Sequence, residues 1–512
     1  MMKLKNAAAG MLSFLLASQC LYPAMPANAE NAGEPYYYYE DEGYVLGDVD
    51  ADGDLGISDV VLLQGWLLGR TMPEGTVIAR SDMTHDGVIN VYDLIKLKRA
   101  LFAIDDREWI EQEKLMTAPI SYLKPTLPST GKNKLLMLVV DFPDCKFSAD
   151  YSLDQIRAAA FGPADTSSEA YPYESVSAYY ERSSYGALTM DADIYTYSMS
   201  YPIDDYICYD SDGEPWADTD KIIDEVLSAK DSGIDFRDYD INSDGYIDTV
   251  LISAPDTASD DGWWPFSISY NGKKTFDGEM PGNIIISKRN PGEPSKFNCT
   301  WIHELGHAMG LPDYYKYKNT ENGSQGMKGT AGTEMMDDGK GDMCAFSKLM
   351  YGWYKPSQVN LYSGGTQTFT LSSSQETGSC LIIPRDSLNA CLSEYMVIEY
   401  ATGSENNTGY CGDGGIRVMH CNAEYSIDQW GRPYLLWNNH SKYYDDSNEK
   451  QRVIRLANQE EGGFLYRGGS VIDGSVSGFH WYDDDGYQTV DVGCTVTVGE
   501  LADGKYTITV SQ

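Results

Sequence analysis

At 512 residues the chain is longer than one hydrophobic core organises, so about two to four domains are expected. A hydrophobic fraction of 42% with 12% aromatic residues excludes a disordered chain, which lacks the apolar surface to offset conformational entropy. The formal charge of -39 excludes nucleic acid as a partner, because binding phosphate needs clustered Lys and Arg.

The N-terminus reads as a signal peptide over residues 1–29: Lys3 and Lys5 precede an apolar run from Ala7 to Leu21, and Ala27-Asn28-Ala29 offers a small-x-small cleavage site. A lipid anchor at Cys20 is the competing reading, with bulky Gln19 standing where a small residue is needed. No later apolar run of about 18 residues could span a bilayer. Nine of the ten cysteines would remain after cleavage. Cys380/Cys391 and Cys411/Cys421 are spaced as local disulfides would be, with the connectivity left open.

Residues 43–103 hold a diverged duplication, each half an acidic loop followed by an amphipathic helix. The first loop places Asp48, Asp50, Asp52, Asp54 and Asp59, and the second Asp82, Thr84, Asp86, Val88 and Asp93, at positions 1, 3, 5, 7 and 12 of a calcium loop. In each loop a glycine, Gly53 or Gly87, permits the sharp turn. Two short helices make no stable core alone, so calcium is expected to supply much of this module's folding energy. The pattern resembles a type I dockerin, with Thr84 a departure toward a weaker ligand. That resemblance implies a small all-α calcium-binding fold whose partner is the cohesin domain of a scaffoldin. It also implies cohesin reading at loop positions 10 and 11, which here are Ile57, Ser58, Val91 and Tyr92. The alternative is a calcium-binding spacer with no partner.

Residues 104–129, polar and bearing Pro119, Pro125 and Pro128, read as a linker. A domain over 130–357 then opens with the apolar run Leu135–Val140, expected as a strand buried on both faces. Helices are expected from Ser175 and around Ile222–Leu227, and another strand at Thr249–Ala254, giving an α/β or α+β body. From residue 358 to 512 short alternating runs predict an all-β region: Thr366–Leu371, Met396–Tyr400, Ile416–His420, Thr495–Val498 and Tyr506–Val510.

The chemistry concentrates after Trp301. His303 and His307 lie four apart in a proline-free segment, so on a helix both imidazoles face one side and can reach one zinc. Glu304 can point into that site without ligating and accept a proton from a metal-activated water. Gly310 can take positive φ and turn the chain, Pro312 stops the helix, and the turn can return Asp313 as third ligand. A plain turn or capping role for Asp313 is the alternative, with Glu334 as reserve ligand.

His303-Glu304-x-x-His307-x-x-Gly310-x-x-Asp313 resembles the extended metzincin signature with Asp as third ligand. Met336, in Glu334–Asp338, is similar to the methionine of a Met-turn. Four stretches narrow the resemblance to the M6, or immune inhibitor A, family of secreted zinc peptidases. They are Leu138–Pro143, Ser175–Gly186, the helix through Tyr315, and Phe346–Trp353. It implies an α+β zincin fold, a zinc cofactor and a protein or peptide substrate. Asp240, Asn242, Asp244 and Asp248 have calcium-loop spacing in their first half, but Leu251 stands at position 12, with Asp248 a possible late ligand. A structural calcium is expected there, a polar turn being the alternative. His420, His440 and His480 have no paired spacing and read as ordinary hydrogen-bonded residues.

The combined expectation is a multidomain, extracellular zinc endopeptidase tethered to a cellulosome-type scaffold. The rival is a noncatalytic binding protein on a peptidase-like fold, against which the intact His303, Glu304, His307 and Asp313 speak.

Overall fold

The structure, a computed structural model, describes residues 47–50, 57–70, 78–83, 89, 93–94, 97–98, 119–147, 151–210, 213–256, 258, 262–315, 329–385, 392–427, 433–439, 452–458 and 464–512. The chain divides into two compact units, Met1–Asp106 and Arg107–Gln512. The expected signal peptide lies outside the described residues. No helix among the described residues is long and apolar enough to cross a membrane.

In the first unit, helix α1 (Ile57–Leu67) and the short α2 (Ile78–Ser81) are defined. Val60 and Leu63 of α1, one helical turn apart, are buried with Val49, Met83, Leu94 and Leu97. Trp66 packs at the margin of this small cluster.

The second unit is built on a five-stranded sheet in the order β2-β1-β3-β5-β4. Its strands are β1 (Gly131–Asp141), β2 (Leu188–Ser198), β3 (Tyr246–Ser253), β4 (Phe266–Ser269) and β5 (Met280–Ser287). All neighbours pair parallel except the edge strand β4, which runs antiparallel to β5. The apolar run in β1 is continuous because both faces are covered. Leu135, Met137 and Val139 enter one core cluster, and Leu136, Leu138 and Val140 the other. The first cluster receives Ile156 of α3 (Leu153–Phe161), Val176 and Tyr179 of α4 (Val176–Ser183), and the apolar face of the helix that carries His303. The second receives Ile222, Ile223, Val226 and Leu227 of α5 (Thr219–Lys230). Ser175 caps α4 by accepting from Ala178 N, and Asp218 caps α5 by accepting from Lys221 N.

Two further sheets follow, in the orders β11-β10-β9-β8-β6 and β12-β13-β14-β7. Their strands are β6 (Val359–Leu361), β7 (Gln367–Ser372), β8 (Cys380–Pro384), β9 (Glu394–Ala401), β10 (Gly415–Asn422), β11 (Ile454–Leu456), β12 (Val471–Ile472), β13 (Thr495–Val498) and β14 (Lys505–Ser511). Leu381, Ile398, Ile416, Val496 and Ile508 share the core between them. The alternate residues Ile382, Val397 and Met419 face the other way, into the cluster that also holds Trp301 and Phe346. Residue 358 is therefore a change of secondary structure and not a break in the core.

Two expectations are corrected. Residues 119–129 are no free linker: Ile120 and Leu127 are fully buried, Leu127 N donates to Ala308 O, and Ser129 Oγ donates to Tyr351 O. The prolines that suggested a spacer stiffen a segment strapped across the core. A Cys411–Cys421 disulfide does not form: Cys421 is turned into the buried core from β10, and both residues are thiols. Cys391 lies outside the described residues, as do residues 104–118.

Candidate metal centre

Helix α6 (Pro294–Ala308) begins with proline, whose missing N–H costs nothing in a first turn. Its buried face is Phe297, Trp301, Ile302 and Leu305, which leaves His303 and His307 together on the neighbouring face. The helix ends in a Schellman arrangement: Gly310 N donates to His307 O and Leu311 N to Gly306 O. Gly310 has φ +104°, and a Cβ there would stand 2.8 Å from Ile120 Cγ1. Only glycine satisfies both conditions. The reversal carries Asp313 back over the two histidines.

Each imidazole is oriented through its Nδ1–H. His303 donates to Met335 O at 2.8 Å and His307 to Leu311 O at 2.7 Å. Both Nε2 atoms are thereby aimed inward, where Asp313 Oδ1 lies 2.9 Å from that of His303 and 3.3 Å from that of His307. Donor atoms on one tetrahedral zinc, with bonds of 2.0–2.1 Å, are about 3.3 Å apart, so the set fits that ion in spacing and in chemistry. Asp313 is 3% exposed and Glu304 is 8% exposed, while the histidines keep partial access to solvent.

The charges are strongly coupled. Burial opposes charge on His303, but its hydrogen bond to Asp313 and the nearby carboxylates outweigh that and raise it to about 9. Burial likewise opposes ionisation of Asp313, yet the two histidines hold its carboxyl well below the usual range. Glu304 is pushed up, chiefly by burial, against the pull of both histidines.

Met336, fully buried in α7 (Met335–Asp338), packs against the histidine helix at Gly306. Its Sδ sits 2.4 Å from where a Cβ on Gly306 would be, so the glycine is what lets helix and methionine touch. Tyr351 OH donates to Gly306 O at 2.8 Å and Tyr180 OH to Ile302 O at 2.6 Å, bracing the same helix.

Glu334, the reserve ligand, is not at the histidines. It caps α7 by accepting from Met336 N and also accepts from Cys344 N and from Ser347 Oγ of α8 (Ala345–Met350). Tyr315 was missed by the sequence reading. Its ring stacks on His303 at 6.3 Å, and its hydroxyl is in hydrogen-bonding reach of Asp313. Its signals were proximity to Asp313 and its place at the end of a stretch that carries the family resemblance.

In the first unit, ligand atoms of Asp48, Asp50 and Asp59 lie within 4.8 Å of one another, with Asp48 and Asp59 buried. Arg80 pairs with Asp48 at 2.6 Å, and Asp50 N donates to Asp59 Oδ1. Ile57 and Ser58 are exposed at the start of α1, and Asp93 is buried near the half-buried Asp82 in sequence. Asp52, Asp54, Thr84, Asp86, Val88, Val91 and Tyr92 lie outside the described residues.

Asp240, Asp244 and Asp248 form a third cluster with ligand atoms within 4.8 Å. Asn242 instead turns its amide to Asp244 Oδ2 at 3.0 Å. His420 is fully enclosed and donates from Nε2 to Glu394 at 2.7 Å, a structural pairing. His440 lies outside the described residues.

Known proteins resemble this chain in two places. Immune inhibitor A of Bacillus thuringiensis subsp. alesti is 25% identical over 242 residues, covering 38% of this chain. The matched region spans about a third of that relative, 34% of its length. The dockerin type I domain family matches residues 46–102, and the chain thus carries a dockerin type I domain.

Proposed function

We propose that the chain is a secreted zinc-dependent endopeptidase of metzincin-like, M6 type, tethered through its dockerin to a cohesin-bearing, cellulosome-type scaffold. One observation carries the catalytic half: ligand atoms of His303, His307 and Asp313 converge within 4.8 Å of one another, with Glu304 beside them. The partial likeness to Immune inhibitor A supports the same reading.

His303, His307 and Asp313 would hold the ion, and three protein donors leave a fourth position open for chemistry. When bound, zinc supplies a Lewis acid that polarises the scissile carbonyl and makes an attacking water acidic. Glu304 takes the water's proton on its carboxylate and passes it to the departing amine nitrogen. Tyr315 and the Met335 and Leu311 carbonyls keep Asp313 and the imidazoles aligned.

The test is a proteome-derived peptide library incubated with the purified chain, with and without a zinc chelator. Cleavage that stops on chelation and returns with zinc is expected. An uncut library in the presence of zinc contradicts the catalytic half and leaves the noncatalytic binding protein as the better account. For the tether, binding to immobilised cohesins should require calcium.

A further inference from the structure

The loop between the 3-10 turn Phe236–Tyr239 and strand β3 brings Asp240, Asp244 and Asp248 together. Acidic loops are common, and the cluster alone says little. Asp248 is different. It is 1% exposed, its Oδ2 accepts from Ile241 N at 3.3 Å, and its equally shielded Oδ1 meets no hydrogen-bond donor. A buried carboxylate oxygen without a donor is costly unless a proton or a cation compensates it. The basic side chain nearest in sequence, Arg237, is turned to Asp235 through two contacts of 2.8 Å.

A fourth carboxylate arrives from elsewhere in the chain. Tyr246 pairs with Met280 in the β3–β5 ladder, which sets Glu279 beside Gly245. Glu279 Oε2 lies 3.8 Å from where a Gly245 Cβ would be, is shielded from solvent, and also meets no donor. Its carboxylate is within hydrogen-bonding reach of Asp240. Two acceptor-only groups at that separation repel unless something positive lies between them.

We propose that a calcium ion binds here, held by Asp240, Asp244 and the buried Asp248 and completed by Glu279 from the start of β5. Oxygens sharing one calcium, with bonds of 2.3–2.6 Å, are at most about 5 Å apart, which Asp240, Asp244 and Asp248 satisfy. The all-oxygen donor set suits a hard cation and not zinc. In a helical calcium loop, position 12 supplies a bidentate glutamate. Here that position, Leu251, has been carried into the sheet and is fully buried, so the late carboxylate is supplied across the ladder. The ion would tie the start of β3 to the start of β5, within the sheet against which α6 packs.

The test uses the full chain with its dockerin loops intact, in wild type, Asp248→Asn and Glu279→Gln, and calcium alone as the ligand. Equilibrium dialysis should show each variant binding one calcium fewer per chain than wild type. Thermal melting gives a calcium dependence that a merely structural carboxylate would not. In calcium Asp248→Asn should melt lower than wild type, because the buried ligand is lost, and in chelator that gap should close. Should Asp248→Asn fail to fold, the partly exposed Glu279→Gln still reports the stoichiometry. Equal calcium binding in wild type and Glu279→Gln, or a melting difference between wild type and Asp248→Asn that calcium leaves unchanged, would overturn the proposal. Neither result depends on what the histidines do.

Discussion

The histidine site and the Asp240 loop, both in the larger unit, assemble their ligands in opposite ways. The first is local: a helix sets His303 and His307 one turn apart, and a glycine reversal returns Asp313 within a few residues. The second is local only in part, because Glu279 reaches it through strand pairing. Helical and turn periodicity can be read along a chain, whereas a partner delivered by a ladder depends on tertiary register. The Asp240 loop therefore looked incomplete in sequence, and the histidine motif complete.

The comparison can be broken at the reversal. Gly310→Ala combines a left-handed φ with a contact of 2.8 Å to Ile120. The strain is about 1–2 kcal/mol before packing is counted. If Asp313 depends on this turn, the variant should lose bound zinc, measured by metal analysis, and peptide cleavage with it. Its calcium count should not change, since the Asp240 loop does not use the turn.

A smaller effect is expected beneath the helix. In Gly306→Ala the new methyl meets Met336 Sδ at 2.4 Å, an overpacking worth about 1–3 kcal/mol. A lowered melting temperature should result, with Gly306→Ala/Met336→Ala recovering part of it by vacating the space.

A further effect concerns pH. Burial pushes Glu334 up to about 8, against three hydrogen bonds that favour its charge. A carboxyl raised on folding contributes stability that is full below its ordinary value of 4.5 and is lost as pH rises through 8. The stability advantage of wild type over Glu334→Gln, measured by denaturant titration, should shrink as pH rises across that interval.

Much of the scaffold was legible. The run Leu135–Val140 announced a doubly covered strand because six successive apolar residues leave no face for solvent, and the structure divides them between two cores. Ser175 and Ile222–Leu227 marked helices through a cap and a repeating face. The strap at residues 119–129 was hidden because prolines signal both spacers and rigid packed segments; only the burial of Ile120 and Leu127 separates them. Glu334 was a reasonable reserve ligand by residue type, but its side chain is committed to the turn beneath the helix. Tyr315 closes a stretch of the family resemblance but carried no assigned role, and Glu279 lay in no motif. Their positions follow from the path after Asp313 and from the β3–β5 register.

The most direct measurement pairs zinc content with peptide cleavage in wild type and Glu304→Gln. Glu304 stands outside the donor set, so the variant should retain one zinc per chain while cleavage falls by about 10²- to 10⁴-fold, the usual contribution of a general base. Cleavage at the wild-type rate with zinc retained would contradict the role given to Glu304.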